Sequence, residues 1–539
     1  MTLPLNTISL TGLVVLAGHF LLHATPAGAA PPAAPIGIQV VDAETSRGIP
    51  QVILESSLGT RHVTDNHGLV AFDEPIARHQ DVFFKPTSDG YSFSAPGLAM
   101  GGAVLKAEPG SSATLVMQRE MIAQRLYRIT GAGLYKDTLA LGHSAPIDEP
   151  LINAGVLGQD SALCALYGGR QFWIWGDTGR FGHPLRANFR ATGAFSDLPT
   201  SGGLPAATGI NLHYLQNDGT VKAMVPLRPD DRSAVYWLTA LMNVPDDDGR
   251  ERLLAWYNRI TMPGMVTVER GLLEYDTQRE EFAEVLDYPT TAPLQPAGHA
   301  VRHHDYIYFT GGELMRVPAT YRAATNPAAY EALTCLASDG AFSTATARIA
   351  RDAHGRVEYR WRAGAAPTGP GQHRELVEAG LMTEDECLFR PYDAATGQPF
   401  RPHGSHTVYH PARRKWIMIT SELGGTSMLG EAWYLEADAP EGPWHRAVKV
   451  LTHAGYSFYN PLIHAEYFTH STAEDAQRFL YFEGTYTKMF SGVEVPTPYY
   501  DYNQVMYRVD LDDARLAPLH ADAPSTGSQR FVVIDSANR

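Results

Sequence analysis

The chain is poor in cysteine: Cys164, Cys335 and Cys387 are its only three, and they stand far apart. So sparse and odd a set provides neither a disulfide framework nor a metal-ligand spacing. The three read as small buried hydrophobes, and stability has to come from core burial. Positive charge is also short, with 43 Lys and Arg against 58 Asp and Glu and a net charge of −15. That balance argues against nucleic acid and anionic membrane surfaces as partners. Beyond the first residues no apolar run reaches membrane-spanning length, so no membrane span is expected. A glycine-rich phosphate loop, a nucleophile elbow and a paired-cysteine motif are missing as well, which disfavours nucleotide and acyl chemistry.

What is present favours strands and turns. The 49 Gly and 37 Pro, with 26 Tyr, 20 Phe and 8 Trp, suit many turns and short strands better than long helices. At the start, residues 8–22 form an apolar run, followed by Ala24, Ala27, Gly28, Ala29 and Ala30 and then Pro31 and Pro32. That pattern reads as a secretory signal over residues 1–30, and hence a secreted or periplasmic protein.

Residues 158–178 carry the most informative pattern. Two apolar runs, 162–167 and 172–175, flank Gly168-Gly169, which predicts a hairpin. Asp160 enters the first strand and Asp177 leaves the second, so both carboxylates fall at one end of the hairpin. Paired carboxylates at the mouth of a sheet are the minimum equipment for glycosidic bond hydrolysis, and they are equally common as hairpin caps.

Along the chain, residues 36–119 predict a small β-sandwich with a turn at Asp65-Asn66-His67-Gly68. Asp65 and Gly68 are explained by that turn alone, and nothing in the unit carries chemistry. Residues 120–150 read as a connector with weak helical periodicity in Met121, Ile122 and Leu126. From 151 to 512 a strand–turn–strand unit recurs five times, starting at the hairpin and then near residues 234, 298, 403 and 457. Such recurrence predicts an all-β, five-bladed β-propeller, because each small sheet buries both faces only against its neighbours. Residues 315–400 break the pattern and read as an insertion, a lid or a rim buttress. They include a short helix over 372–379 that stops at Gly380, and a capping box from Thr383 to Glu386. Residues 513–539 read as a C-terminal tail.

In a propeller, polar residues at the starts of the innermost strands meet at one mouth. Those positions hold Asp160, His299, His403, Ser405, His406 and Asn460, and strand ends add Asp177, Glu422, Glu431 and Glu483. Acids and amides bind sugar hydroxyls, and Tyr456, Phe458, Tyr459, Trp433 and Tyr486 are available as stacking platforms. A structural divalent cation in the channel, held by His299, His403 or His406 with a carboxylate, is compatible with this set, and no cofactor is required.

Two resemblances rest on particular residues. The motif Val-x-Asp-x-x-Thr, then Gly-x-Pro, then Thr-Asp-x-x-Gly in residues 36–119 resembles the carboxypeptidase-regulatory-like, transthyretin-type sandwich, which implies a structural accessory role. Residues 403–444 (His-Gly-Ser-His-x-Val-Tyr through Asp438-x-Pro440-x-Gly442-Pro443-Trp444) and 459–486 resemble the five-bladed propeller glycosidases of the arabinanase, xylosidase and fructosidase group. The opening Gly-Gln-Asp and Trp-Gly-Asp-Thr are similar to a secreted bacterial propeller family that includes D-arabinan-degrading enzymes. This resemblance implies hydrolysis of a carbohydrate by carboxylates, and it maps the base or nucleophile onto Asp160. A mid-chain glutamate is usually the general acid there, but no matching motif is legible, so Glu422 and Glu431 compete and Glu483 is the third option.

Two rival readings use the same residues. A polysaccharide lyase would use His299, His403, His406 and Tyr459 on a uronate, with Arg302, Arg270 or Arg401 neutralising its carboxylate. A non-catalytic glycan-binding propeller needs the aromatics but not the acids.

Overall fold

The computed structural model describes residues 34–94, 100–182, 190–226, 228, 234–261, 264–471, 473–520 and 530–534. The signal read at residues 1–30 lies outside the described residues. The described chain is mostly strand, with few and short helices.

The first two sheets have four strands each. One runs Leu69–Phe72, Ile36–Asp42, Ser112–Arg119 and Tyr91–Ser92; the other runs Arg61–Val63, Ile53–Ser56, Asp81–Thr87 and Ala103–Lys106. Alternating side chains of both enter one core, with Ile38, Val40, Val70 and Phe72 from the first and Leu54, Val82 and Phe84 from the second. That core continues without a break into later sheets through Tyr434, Phe458 and Tyr507.

Five further sheets follow. Sheet 1 is Leu163–Tyr167, Arg170–Trp175, Thr192–Ser196 and His213–Tyr214, and sheet 2 is Ala234–Pro245, Glu251–Thr261, Val266–Asp276 and Glu281–Asp287. Sheet 3 begins with Ala300–His303 and Tyr306–Phe309, and sheet 4 with Pro402–His410, Lys415–Glu422, Glu431–Ala437 and Trp444–Thr452. Sheet 5 holds Ser457–Ile463, Phe479–Thr487 and Asn503–Asp510, and its outer edge is Gln124–Arg128.

Hydrogen bonds join each sheet to the next. Asn243 Nδ2 donates to the Leu166 carbonyl (2.8 Å), the Ala240 amide to the Gly298 carbonyl (2.9 Å), and Ser405 Oγ to the Thr310 carbonyl (3.0 Å). The Ile463 amide donates to His406 Nδ1 (2.8 Å), and Asn460 Nδ2 to Ser161 Oγ (2.7 Å), which brings sheet 5 back to sheet 1. Shortly before or within each first strand one residue is left-handed: Ser161 (φ 53°), Ala240 (53°), Gly298 (75°), Gly404 (58°) and Asn460 (51°). In sheets 2, 4 and 5 a register shift falls at this residue. The bulge bends those three strands at one level and re-aims the residue before it. In the five sheets the residues before the left-handed one are Asp160, Thr239, Ala297, His403 and Tyr459.

Three expectations are corrected. The periodic stretch of the connector is not helical: Gln124–Arg128 is a strand, buried throughout, because the edge of Asn503–Asp510 captures it, and the connector's short helix comes later, at Lys136–Ala140. Backbone pairing at a sheet edge outweighs a weak helical periodicity. The stretch read as an insertion mostly completes sheets. Met315–Pro318, Glu331–Thr334 and Val357–Ala363 extend sheet 3, and Phe389–Asp393 pairs in parallel with Trp444–Thr452. The helix within that stretch is present as Pro370–Glu378, and the Thr383 capping box opens a single 3-10 turn, with the Thr383 amide donating to Glu386. Lastly, Phe531–Ile534 of the supposed tail adds a parallel outer strand to sheet 3. Phe531 is buried and meets Tyr359 edge-on at 6.2 Å. Phe531→Ala is therefore expected to cost about 3 kcal/mol in a denaturant titration, as for a core aromatic; a tail residue would cost nothing measurable.

Candidate active site

The hairpin at the start of sheet 1 forms as expected, with Leu166 opposite Gln171. Beyond it, Val156–Gln159 pairs with Thr178–Arg180, which draws the two aspartates together. The Asp160 amide donates to the Asp177 carbonyl (3.3 Å), and the Asp160 carbonyl accepts from Gly176 (2.8 Å). The Asp160 carboxylate faces the head of sheet 5, where Tyr459 Oη donates to Oδ2 at 2.8 Å, and the Tyr502 hydroxyl bonds it as well. Oδ1 has no protein donor. A Cβ on Gly176 would lie 2.4 Å from Oδ1, so only glycine fits beneath the carboxylate.

Burial and then the charge of Asp177 push the Asp160 carboxyl up to about 6, against the pull of the two tyrosine hydroxyls. Asp160 is therefore a carboxylate at neutral pH that takes a proton readily. It is held by two fixed donors and keeps one oxygen without a partner. That is the equipment of a general base or nucleophile.

The strand pairing decides the fate of the other acids. Leu163, Met242, Ala300, His406 and Leu462 pair with Ile174, Leu254, Phe309, Ile419 and Glu483. Glu483 thus occupies a level that is apolar in the other four sheets. It is 0% exposed, its pKa is raised by burial, and His464 Nε2 lies 3.1 Å from Oε1. Glu483 lies in the core, away from solvent. Glu431 is also fully buried, and its Oε1 accepts the Thr426 amide at 2.9 Å, shaping the 424–426 loop. It too is structural. Glu422 ends its strand at the level of Asp177, half-buried, and accepts from Trp433 Nε1 at 2.8 Å.

The histidines separate by depth. His299 and His406 are buried, with rings 4.3 Å apart. Burial lowers His299 to about 4 and His406 well below its usual range, so both are neutral. They line a cavity of about 540 Å³ that opens at the other end of the first strands, beside Asn243, His303 and Tyr409, and so do not contact a ligand at Asp160. His403 is exposed on the Asp160 side, and Asn460 is there too, half-buried and tied to Ser161. Among the described residues no group of three or more His, Cys, Asp or Glu is placed to hold a metal ion.

The expected stacking platforms are not accessible. Trp433 is 4% exposed and stacked on Phe400 at 4.3 Å, and Tyr486 is 3% exposed and stacked on Tyr456 at 4.1 Å. Phe458 is in the core, and Tyr459 is spent on Asp160. Strand residues that alternate inward go to the sheet-to-sheet packing, whatever their aptitude for sugar.

Two residues were missed. Glu313 follows Gly311-Gly312 at the end of the second strand of sheet 3 and shares a cleft of about 380 Å³ with His403, Gly404 and Thr420. It is half-buried, burial raises its pKa, and Gln372 Nε2 donates to it at 2.5 Å. The Gly-Gly-Glu after an aromatic strand was the available signal. Phe490, 45% exposed, sets its ring edge-on to Tyr459 at 5.3 Å.

No protein-family model and no curated protein matches the chain. Among solved structures, an exo-β-1,3-galactanase from Phanerochaete chrysosporium shares 9% identity over 72% of this chain and 65% of its own, with a TM-score of 0.37. An exo-β-1,3-galactanase from Clostridium thermocellum shares 8% over 71% and 61%, with a TM-score of 0.33. A GH43_1 enzyme from Xanthomonas citri, solved with xylotriose, shares 11% over 70% and 91%, with a TM-score of 0.31. This chain spans less than two thirds of the two galactanases. Superposition at this level carries no weight for activity.

Two measurements test this geometry. A negative neighbour disfavours ionisation and a donor favours it, so Asp177→Asn should move the Asp160 titration below about 6, and Tyr459→Phe should move it above. NMR carboxyl titration, with Asp160→Asn as the blank, reads both shifts; equal or same-sign shifts would refute the arrangement. For Glu483, a pKa raised on folding means stability is lost as the pH rises through it. The Tm of Glu483→Gln relative to wild type should therefore rise as the pH is raised above the ordinary glutamate range.

Proposed function

We propose that the chain is a glycoside hydrolase built on a five-bladed β-propeller, with the five ring-joined sheets as its blades and a polysaccharide or oligosaccharide as substrate. The observation that carries this reading is the Asp160 carboxylate, crowded to a pKa of about 6, donated to by Tyr459 and Tyr502, and left with one unpartnered oxygen. Hairpin caps do not look like this. A cap is satisfied by backbone amides and its pKa falls, whereas Asp160 is held against its own ionisation.

In this reading Asp160, ionised above about pH 6, either takes a proton from water or attacks the anomeric carbon itself. Glu313, kept protonated to higher pH by burial and oriented by Gln372, gives its proton to the leaving oxygen. Asp177 keeps the Asp160 pKa high, His403 and Asn460 bind hydroxyls, and Phe490 supplies the apolar face for a sugar ring. Glu422, bonded by Trp433, lines the same end of the ring. The apolar run 8–22 with its small-residue sequel supports export to where such a substrate is met. The lyase alternative loses support because His299 and His406 are buried away from Asp160 and the Tyr459 hydroxyl is committed to it.

A panel of polysaccharides with reducing-end detection tests the proposal. Hydrolysis of one or more is expected, with an acid limb near pH 6 and a loss of about 10²–10⁴ in turnover for Asp160→Asn with binding retained. Glu313→Gln should be slow on natural linkages and far less impaired on aryl glycosides, whose leaving groups need no proton. Binding without turnover in wild type would instead mark a glycan-binding module, and an unsaturated uronate product would mark a lyase.

A further inference from the structure

The 497–503 segment reaches Asp160 through Tyr502, and its backbone is held in an unfavourable shape. Tyr499 (φ 65°) and Tyr502 (φ 63°) are both left-handed, a conformation that costs a bulky residue free energy and persists only where the surroundings over-determine it. Part of that support comes from sheet 5, where the Tyr502 amide donates to the Tyr486 carbonyl (2.8 Å) and Asp501 Oδ1 accepts from the Lys488 amide (2.8 Å).

The rest comes from the N-terminal unit together with Arg128 of the edge strand and Asn503. The buried Tyr500 hydroxyl donates to the Thr64 carbonyl at 2.9 Å. The Arg128 guanidinium lies over the Tyr500 ring at 4.9 Å and donates to the carbonyls of Tyr499 and Ala132. Arg128 is fixed in turn by Asn66, whose Nδ2 donates to the Arg128 carbonyl and whose Oδ1 accepts the Arg128 amide, both at 2.9 Å. The Asn66 amide donates to the Leu134 carbonyl at 3.0 Å. Asn66 and Thr64 belong to the turn that follows Arg61–Val63, and all of Thr64, Asn66, Arg128 and Tyr500 are buried. Asn503 closes the far side, its Nδ2 donating to the Tyr499 carbonyl at 3.0 Å.

We infer that the N-terminal unit is a working part of the active site: Thr64 and Asn66, acting through Tyr500 and Arg128, are positioning residues that press Tyr502 against Asp160. This rests on Asp160 being the reacting carboxylate. Of these five residues only Tyr502 touches that carboxylate; the other four act through it. A donor to the ionised form lowers a carboxyl pKa, so a slack 497–503 segment leaves Asp160 harder to ionise.

The full chain with Tyr500→Phe, Tyr502→Phe and both together forms the test. Tyr500→Phe keeps the ring in its pocket and removes the bond to Thr64. The Asp160 titration, read by NMR against Asp160→Asn, is expected to move up by roughly half a pH unit or more in each single variant. The double variant should move no further than Tyr502→Phe alone, because both changes act on one contact. Asn66→Ala, where it folds, should shift in the same direction. A Tyr500→Phe protein with lower Tm and an unmoved Asp160 titration, or shifts that add in the double variant, would reduce the N-terminal unit to a scaffold and overturn the inference. The NMR readout needs no substrate, so a chain that hydrolyses no glycan defeats the proposed function while the titration shifts still decide the positioning role. In an active enzyme the acid limb of kcat/KM should follow the NMR shift.

Discussion

The bond from the Tyr459 hydroxyl to Asp160 Oδ2 joins the last sheet of the ring to the first, and most of the site depends on it. It can form only where the ring closes, because its partners are far apart in sequence and share no sheet. Beside it, Asn460 bonds Ser161 and the Ser161 amide bonds Thr485 Oγ1. Ring closure and carboxylate placement are therefore one event. The same closure desolvates Asp160 and brings in the charge of Asp177, and these two effects set its affinity for a proton.

Pseudo-symmetry explains why so few of the available acids serve this end of the ring. Each of the five sheets has one left-handed residue before or within its first strand, and the residue before it occupies an equivalent position. Aspartate, threonine, alanine, histidine and tyrosine fill that position in the five sheets. A ring of equivalent positions filled by five different side chains is asymmetric in chemistry while regular in backbone, which places one carboxylate on one side and leaves the other side to different groups. The strain at Ser161 and Asn460, neither of them glycine, sits beside the carboxylate, as expected where geometry serves function more than stability. Gly176 is the complementary case: its missing side chain is the space that the Asp160 carboxylate uses.

The N-terminal sheets enter the same scheme. Their core runs on into sheets 4 and 5, and Gln124–Arg128 completes sheet 5 only after the chain has left the N-terminal unit. A strand supplied from the start of the ring to its last sheet ties the two parts into one folding problem. Arg125 adds to this, donating to the Tyr507 hydroxyl at 2.9 Å and to the Pro50 and Asp89 carbonyls, entirely out of solvent. A buried guanidinium with its donors engaged is tolerable only if those partners never separate.

Local pattern was enough for the hairpin and for the place of Asp160 and Asp177 at one end of it. The Gly168-Gly169 turn between apolar runs, the recurrence of strand pairs, and the small-residue and aspartate chemistry of the turns are all short-range signals, and they placed the hairpin, five strand units and the two aspartates at one end of sheet 1. What lay beyond them was depth. Glu483 and Glu422 both read as strand ends in the sequence, and Tyr486, Trp433 and Phe490 are all aromatic, but residue type does not say how far a side chain stands from the mouth or which sheet covers it. Pairing register decided that Glu483 lies at a core level, inter-sheet packing buried Tyr486 and Trp433, and the edge of sheet 5 turned a weakly helical connector into a strand. Glu313 stands just before the stretch read as an insertion, and only the fold brings Gln372 of that stretch onto it. Sequence alone determined which side chains and turns the chain offers, because residue types and turns are local; tertiary structure alone decided which of those groups meet, because desolvation, neighbouring charge and register exist only once the ring is closed.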